Sequence, residues 1–353
     1  MNLLVSVVTP SFNQAPYLEY TLQSVQGQDY PAVEHLVVDG GSTDGSVEII
    51  RRYAHRLAWW VSEPDQGQAE AINKGMRHAS GEIVAWLNSD DLYLPGAISR
   101  AVAALQANPE LGLVYGDAVT IDLQGRPLNR LTFGDWGMED LLHFRIICQP
   151  AVFMRRQVLE QAGYLDPSYH MMLDHHLWVR MAALAPIQYI GGGAGGKFIP
   201  LAAARHHPTA KNVSQPARFA DETLRLLNWL QTQPRLAEQI AQNSHLTRGG
   251  AMRLVARYLL DSGQPAAALH AYLQALLAWP GYTLKHAHRM SYAVLSLLGF
   301  GAALDRWRNA SDAKARRSLA DQLRHTEFPI LYSSGGERGF TRLENWPGLC
   351  LEC

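Results

Sequence analysis

Short apolar runs of strand length alternate with helical repeats over the first 120 residues. Four of these runs are rich in β-branched residues and mostly apolar on both faces, as parallel strands covered by helices are. They occupy residues 3–10, 33–39, 82–88 and 111–121. Between them, apolar residues recur three or four positions apart, for example at Leu18, Leu22 and Val25. This alternation predicts an α/β domain with a mostly parallel sheet flanked by helices.

Strand patterns stop near residue 215, and the remaining chain has the pattern of amphipathic helices. Segments such as DETLRLLNWLQTQ, MRLVARYLLDSG and AAALHAYLQALLAWP carry apolar residues at helical spacing. A chain of 353 residues is longer than one hydrophobic core usually serves. We therefore predict an α/β domain over residues 1–215 and an α-helical C-terminal region over residues 216–353. This region is expected to cap the first domain, and docking to a partner or a membrane surface is the alternative.

Composition limits the classes of function. The chain has 31 basic and 32 acidic residues and a formal net charge of −1, so no positive field would gather nucleic acid. Three cysteines do not make a disulfide framework, which favours a reducing compartment. The N-terminus lacks the basic region of a secretory signal, and the longest apolar stretch is too short for a bilayer. We expect a cytoplasmic protein. Whether it contacts the inner face of the plasma membrane, and which oligomeric state it has, are left open.

Polar residues follow three of the predicted strands. They are TPSFN at 9–13, DGGSTDGS at 39–46 and NSDD at 88–91. In parallel α/β sheets ligands bind at the carboxyl ends of the strands, so these segments predict a binding site. A glycine-rich turn that leads into a helix offers N–H groups to an anion, and Asp90 with Asp91 forms a hard-oxygen site for Mg²⁺ or Mn²⁺. Together they would hold a metal diphosphate and leave Asp39 for a nucleobase or ribose.

Structural alternatives exist for these residues. Asp44 or Ser46 would suit the cap of the helix that begins near Val47. Asp90 and Asp91 would also suit a solvated turn, although the apolar VAWL run before them favours a site.

Several segments, taken in order, resemble the successive motifs of the family-two inverting glycosyltransferases with the GT-A fold. The segments are VSVVTPSFN, VVDGGSTDGS, EPDQGQAEAINKGMRHASGEIVAWLNSDD and LDHHLWVR, and the resemblance covers about residues 3–215. It implies a UDP-, GDP- or TDP-sugar as donor, a divalent Mn²⁺ or Mg²⁺ cofactor, and attack by an acceptor hydroxyl with inversion at the anomeric carbon. It also implies a glycan or lipid-linked acceptor in polysaccharide or other glycoconjugate biosynthesis.

The same resemblance assigns donor and metal residues position by position. The implied donor pocket comprises Thr9, Pro10, Ser11, Asn13, Asp39, Gly40, Gly41, Asp44, Asp65, Asn73, Lys74, Ser89 and Asp90. Implied metal ligands are Asp90, Asp91 and one of two adjacent histidines, His206 or His207, of which His206 is selected. The family motif has an Asp where this chain has Asn88, which leaves open whether Asp90 or Asp91 binds the metal.

Asp174 in YHMMLDHHLWVR is the expected general base. An inverting transfer needs a base on the side of the sugar opposite the leaving diphosphate, and the family counterpart of Asp174 has this role. Asp174 precedes a helix whose buried stripe is Leu177, Met181 and Leu184, so it would point away from the core. Capping of that helix is a compatible structural role. The alternative function is an inactive nucleotide-sugar-binding or scaffolding protein of the same fold, which only Asn88 supports.

Overall fold

Two sheets form the α/β part of the fold. The structure is a computed structural model that describes residues 2–192, 198–208, 210–301 and 303. Within these residues the strands are β1 (Val5–Ser11), β2 (Val33–Asp39), β3 (Trp59–Ser62), β4 (Ile83–Trp86), β5 (Leu92–Tyr93), β6 (Leu113–Tyr115), β7 (Ala118–Ile121), β8 (Pro127–Leu131), β9 (Val152–Arg155), β10 (Ile187–Tyr189) and β11 (Ala202–Arg205).

The central sheet has seven strands in the order β10-β6-β9-β4-β1-β2-β3. Strands β3, β2, β1 and β4 run parallel, and β9 lies antiparallel between β4 and β6. This arrangement confirms the predicted mostly parallel sheet. The register places Ser11 opposite Asp39 and Asp39 opposite Ser62, so the carboxyl ends of three strands lie side by side.

The strand predicted over residues 111–121 is wrong as a single element. It is broken into β6 and β7, which belong to different sheets, and the second sheet has the order β5-β11-β7-β8. The backbone bonds explain the break, because the Gly116 N–H donates to the Ala151 carbonyl beside β9, whereas the Asp117 carbonyl accepts from the Leu201 N–H beside β11. The second sheet brings Arg205, at the end of β11, next to the segment that follows β4.

Helices cover the central sheet and make up the described C-terminal part. They are α1 (Ala15–Gln26), α2 (Ser46–Tyr53), α3 (Gln68–His78), α4 (Ala97–Ala107), α5 (Met138–Leu142), α6 (Arg156–Ala162), α7 (Leu173–Ala182), α8 (Lys211–Ser214), α9 (Pro216–Gln231), α10 (Ala237–Gln242), α11 (Ser244–Asp261), α12 (Pro265–Ala278), α13 (Pro280–Thr283) and α14 (Ala287–Leu297). The C-terminal helices confirm the predicted change in character. Within the described part of the chain, none is both long and apolar enough to cross a bilayer.

The C-terminal helices pack directly on the α/β part. One buried apolar cluster contains side chains from both, including Trp86 and Trp178 on one side and Leu226 and Leu254 on the other. A buried arginine, Arg253 on α11, donates a 2.9 Å hydrogen bond to the Phe144 carbonyl. Helix α9 begins at the predicted boundary, and the division into two domains stays a prediction.

Candidate active site

A cavity of about 760 Å³ lies at the carboxyl ends of the central strands. Segments that follow β1, β2 and β4 line it, together with the start of α7 and residues from α8, α9 and α11. Eight of the predicted site residues are in its lining: Pro10, Ser11, Gly40, Asp65, Ser89, Asp90, Asp91 and Asp174. The structure therefore brings these eight predicted residues to one cavity, whereas the other eight lie outside its lining.

The glycine-rich turn after β2 meets the cavity beside the end of β1. A Cβ added at Gly40 would lie 2.7 Å from Oδ2 of Asp65, so only glycine fits at this position without displacing that carboxylate. The other oxygen of Asp65 accepts a 2.8 Å bond from the Gly67 N–H. Among the described residues, the buried Ser11 hydroxyl has no hydrogen-bond partner. It is thus available to a ligand in the cavity.

Asp39 organises this turn from inside the protein. It is fully buried, and its Oδ2 accepts bonds from the Gly41 N–H, the Ser42 N–H and the Ser62 hydroxyl at 3.1, 2.9 and 2.8 Å. The Ser42 hydroxyl donates to Oδ1. Gly41 has φ +83°, a left-handed conformation that favours glycine. Asp39 and Gly41 are outside the cavity lining, and contact of Asp39 with a nucleobase stays a prediction.

Thr9 and Asn13 also lie outside the cavity lining. The Thr9 hydroxyl is buried and lies 2.9 Å from Nε2 of His35 on the neighbouring strand. Asn13 adopts φ +52°; its N–H donates to the Ser42 hydroxyl, and its Oδ1 accepts from the Thr43 N–H. These contacts fix the loop after β1 against the loop after β2.

Asp44 connects the starts of two helices. Its Oδ2 accepts a 2.9 Å bond from the N–H of Ala15 at the start of α1, and its Oδ1 accepts from the N–H and hydroxyl of Ser46 at the start of α2. Both contacts favour the structural role that the sequence left open for Asp44, because carboxylates satisfy the free N–H groups at helix N-termini. Asp44 is outside the cavity lining.

Asn73 and Lys74 bind other parts of the protein in the structure. The buried Asn73 amide exchanges two hydrogen bonds, of 2.8 and 2.9 Å, with the backbone of Leu165. Lys74 donates to the Glu63 carboxylate. Neither residue is in the cavity lining. Both assignments to the donor pocket stay predictions, and in the structure the polar atoms of these side chains bind other parts of the protein.

Asp90 and Asp91 face the cavity in different environments. Asp91 is 6% exposed; its Oδ1 accepts from the Arg205 N–H at 2.9 Å, and its Oδ2 accepts from the Asn88 amide at 3.3 Å. Burial, and then the neighbouring charge of Asp90, raise the pKa of Asp91 well above its ordinary value. Oδ2 of Asp90 lies 2.9 Å from Nε2 of His207. The pair therefore concentrates negative charge in a place that a cation would stabilise.

An amide network supports Asp91. The Asn88 side chain donates to both Asp91 and the Gln149 side chain, and it accepts a 2.8 Å bond from the Gln68 amide. An ionised aspartate at position 88 has no donor to offer. Asn88 thus supplies a hydrogen bond to Asp91 that the Asp of the usual family motif would not.

The adjacent histidines point in different directions. The side chain of His207 is buried, contacts Asp90 and lines the cavity. His206 is exposed and outside the lining, and its N–H donates to the Ile121 carbonyl. The structure thus brings His207, the other histidine that the sequence left open, beside Asp90, and the choice of a histidine ligand stays a prediction. The local reason is that His206 continues the backbone pairing of β11 with β7, which turns the next side chain inward.

The donor set fits a divalent cation that is completed by a ligand. Among the described residues, no group of three His, Cys, Asp or Glu side chains is arranged to hold a metal ion alone. Mg²⁺ sites in enzymes that act on phosphates commonly use one or two carboxylates together with the substrate oxygens. Asp90 and Asp91 supply such carboxylates, and because burial and the charge of Asp90 raise the pKa of Asp91, a cation beside the pair would stabilise its ionised form.

Asp174 lies in the first turn of α7 and faces the same cavity. Burial raises the pKa of Asp174 to about 6, although bonds from the backbone, including the 2.7 Å bond from the His175 N–H to Oδ1, oppose this rise. The N-cap position of α7 belongs to Met172, and no side chain caps it. The expected capping role is therefore wrong, and the carboxylate is left to face the cavity.

Glu222 on α9 holds the segment that precedes Asp174. Its buried carboxylate accepts four hydrogen bonds of 2.7–3.1 Å from the backbone N–H groups of His170, Met171 and Met172. Sequence reasoning missed Glu222, because an acidic residue in an amphipathic helix has the pattern of a solvated face. The structure shows that a C-terminal helix fixes the start of α7.

Lys211 adds a cation to the cavity. Its Nζ donates to the Gln68 side chain at 2.7 Å and to the His170 carbonyl at 3.3 Å. Desolvation lowers the pKa of Lys211, and the charges of Glu222 and Asp174 partly offset this effect. A lysine in this position can interact with an anionic ligand.

Comparisons with known proteins agree with this geometry. Residues 6–163 match the family model described as Glycosyl transferase family 2. An uncharacterized glycosyltransferase of Mycobacterium tuberculosis is 40% identical over 114 residues, which are 32% of this chain and 44% of that protein. A PGL/p-HBAD biosynthesis glycosyltransferase of Mycobacterium bovis is 30% identical over 181 residues, which are 50% of this chain and 69% of that protein.

A solved structure shows the same fold. It is a mannosyltransferase from Pyrobaculum calidifontis in complex with GDP-Man and Mn²⁺, with a TM-score of 0.54, 24% identity, and coverage of 86% of this chain and 88% of that chain. The fold of the chain is therefore GT-A-like. The chain spans less than half of the first relative, 44%, and more than two thirds of the second, 69%. On the family match, the second relative and the shared fold, the chain belongs to glycosyl transferase family 2.

Proposed function

We propose that the protein is a metal-dependent inverting glycosyltransferase that moves a sugar from a nucleotide-diphosphate donor to an acceptor hydroxyl. The observation that carries this proposal is one cavity, lined by the Asp90–Asp91 pair, the turn at Gly40 and Asp174. A protein that only binds the donor would need the acid pair and the glycine turn. The Asp174 carboxylate, with a pKa of about 6 in the same cavity, suits a general base.

The donor diphosphate would lie near the acid pair. Asp90 and Asp91, with His207 beside Asp90, would hold Mn²⁺ or Mg²⁺ together with oxygens of the donor diphosphate, and the ion would act as a Lewis acid on the charge of that diphosphate. The Ser11 hydroxyl and the turn at Gly40 would contact the nucleotide, and Lys211 would interact with the anionic part of the donor.

The acceptor would lie against Asp174. With a pKa of about 6, the Asp174 carboxylate is largely ionised at pH 7 and can take the proton of an attacking hydroxyl. Attack from the side opposite the diphosphate breaks the bond between the anomeric carbon and the phosphate oxygen, and the electron pair leaves with the nucleoside diphosphate. Configuration at the anomeric carbon is thereby inverted.

The names of similar proteins support the substrate classes that we propose. The similar mannosyltransferase was solved with GDP-Man and Mn²⁺, and the similar M. bovis protein is named for PGL/p-HBAD biosynthesis. For this chain we propose a UDP-, GDP- or TDP-sugar as donor and a glycan or lipid-linked acceptor in polysaccharide or other glycoconjugate biosynthesis. We also propose a cytoplasmic location and leave open whether the protein contacts the inner face of the plasma membrane.

Nucleotide binding should depend on the divalent metal. Among UDP, GDP, TDP and CDP, at least one is expected to raise the melting temperature by several degrees in the presence of Mn²⁺ but not of EDTA. A ligand at 100 times its Kd stabilises the folded state by about 2.7 kcal/mol. Differential scanning fluorimetry measures this effect. Equal shifts with Mn²⁺ and EDTA would contradict the metal dependence, and no shift with any nucleotide would contradict the proposed donor.

Glu222 should tune the pH dependence of transfer. Burial is the main cause of the raised pKa of Asp174, and the negative charge of Glu222 raises it further. Since the base acts when ionised, the transfer rate falls as the pH drops below its pKa. We expect Glu222→Gln, which keeps a carbonyl acceptor for the loop, to move this acidic limb to lower pH.

The control for Glu222→Gln is Asp221→Asn, which removes the same charge from an exposed position on the same helix. Rates of nucleotide release would be measured from pH 4.5 to 8.5 for both variants. An unchanged acidic limb in Glu222→Gln, or an equal displacement in both variants, would show that Glu222 does not act on the base.

A further inference from the structure

Part of the cavity that contains Asp174 is apolar. The apolar side chains include Ile146, Met171 and Met172 from the α/β part and Phe219 and Tyr258 from helices α9 and α11. We call these five residues the apolar wall. Met172 and Tyr258 belong to the buried core, and Ile146 and Phe219 pack against it, so the wall is the part of that core which borders the cavity. The roles proposed for the donor and metal use none of these residues.

The aromatic members of the wall are held together. The rings of Phe219 and Tyr258 are stacked, with centroids 4.6 Å apart and an angle of 19° between their planes. Tyr258 is buried, whereas Phe219 keeps part of its surface exposed. The partly exposed ring of Phe219 thus faces the cavity, and stacking on Tyr258 restricts its movement.

The wall is also fixed relative to the base. Phe219 and Glu222 are three residues apart on α9 and therefore lie on the same face of that helix. The Glu222 carboxylate binds the backbone N–H groups of Met171 and Met172, which lead directly into α7 and Asp174. One C-terminal helix thus supplies an aromatic ring to the cavity and anchors the segment that carries the base.

The chemistry of these side chains favours an apolar ligand group. Aromatic rings stack on flat apolar groups, and methionine adapts its shape to irregular ones. A wall of this kind offers little to the hydroxyl groups of a sugar, which need hydrogen-bond partners when they are desolvated. An aryl or alkyl aglycone next to the attacked sugar would bury this surface.

We propose that the apolar wall selects acceptors that carry an apolar aglycone close to the attacked hydroxyl. This inference rests on the proposed glycosyltransferase function and gives the C-terminal helices a direct part in choosing the acceptor. The shared chemistry is an apolar group on a sugar, and its source is either an aromatic glycoside or an alkyl, lipid-like glycoside.

The test compares glycosides that differ only in the aglycone. Dissociation constants would be measured by ligand-observed NMR for methyl, octyl and p-nitrophenyl glycosides of glucose, galactose, mannose, N-acetylglucosamine and rhamnose. Octyl glycosides are kept below their micelle concentrations, and each series is run with and without Mn²⁺ and nucleotide. For at least one sugar, the octyl or p-nitrophenyl glycoside is expected to bind about fivefold more tightly than the methyl glycoside.

Variants connect this preference to the wall. Phe219→Ala is expected to remove it and Phe219→Leu to retain part of it, whereas Leu277→Ala, at a side chain 79% exposed on α12 and outside the cavity, should keep it. Preference for p-nitrophenyl alone identifies an aromatic aglycone, and preference for octyl alone identifies an alkyl one. Equal binding of all three aglycones, no binding of any, or a preference that survives in Phe219→Ala overturns the proposal. Failure of the donor function would appear separately, as the absence of any nucleotide-induced thermal shift.

Discussion

Asp174→Asn is expected to lower the rate of sugar transfer by about 10²- to 10⁴-fold, the range that a general base contributes. Asparagine preserves the size of the side chain but cannot take a proton from the acceptor hydroxyl. Asp174 faces the cavity from the first turn of α7, and its pKa of about 6 suits proton transfer near neutral pH. Nucleotide and Mn²⁺ binding should persist, because the residues proposed for them lie on other segments.

The measurement for Asp174→Asn is nucleotide release from a panel of nucleotide sugars, with thermal shifts to confirm that the donor still binds. Asp166→Asn is the matched control, since Asp166 lies in the preceding loop, its carboxylate accepts bonds from the N–H and hydroxyl of Ser168, and it is outside the cavity lining. Equal release from wild type and Asp174→Asn would remove Asp174 as the base. Absence of release from wild type, together with nucleotide binding, would favour the inactive binding protein.

The parts of the site that lie at strand ends could be predicted from the sequence. A buried strand followed by polar residues predicts both the strand and the edge at which it ends, and parallel pairing then brings Ser11 beside Asp39. The same reasoning locates Asp90 and Asp91 after β4. The alternation of strand and helix patterns is sufficient to predict the mostly parallel sheet, because each element carries its own apolar pattern.

Contacts between distant segments could not be predicted in this way. Asn73 lies in a segment that resembles a donor-site motif. In the structure, however, its amide binds the backbone of Leu165, far along the chain. Glu222 has the pattern of a solvated helix face, yet three backbone N–H groups surround its carboxylate. Such partners are determined by tertiary packing, and a periodic pattern contains no information about which distant atoms approach a side chain.

The directions of the two adjacent histidine side chains could not be predicted from the sequence, for a local reason. His206 and His207 have the same chemistry, and only the backbone pairing after β11 determines which ring turns inward to Asp90. The break between β6 and β7 is similar, because the carbonyl of Asp117 and the N–H of Gly116 bond to different sheets. In both cases the backbone hydrogen bonds of one or two residues determine the local structure, and the apolar pattern of the sequence does not reveal them.

Asp91→Asn is expected to weaken Mn²⁺-dependent nucleotide binding on the order of 100-fold, at the upper end of losses measured for groups that only support metal ligands. The substitution removes the charge of one of two adjacent carboxylates that line the cavity. Metal-free stability should change little, because an amide oxygen can still accept the Arg205 N–H bond, and removal of the repulsion from Asp90 offsets the loss of the bond from the Asn88 amide to Oδ2.

Melting temperatures measured without and with the metal therefore distinguish a metal-binding role of Asp91 from a structural one. Melting temperatures of wild type, Asp90→Asn, Asp91→Asn and the exposed control Asp29→Asn would be compared with EDTA, and then with Mn²⁺ and the best nucleotide. Loss of the Mn²⁺-dependent shift in Asp91→Asn at unchanged metal-free stability identifies a metal ligand, and the same result in Asp90→Asn would show that both carboxylates share the ion. A lower metal-free melting temperature with an intact Mn²⁺ shift would instead make Asp91 a structural residue, since a carboxylate that binds the ion cannot be replaced without loss of that shift.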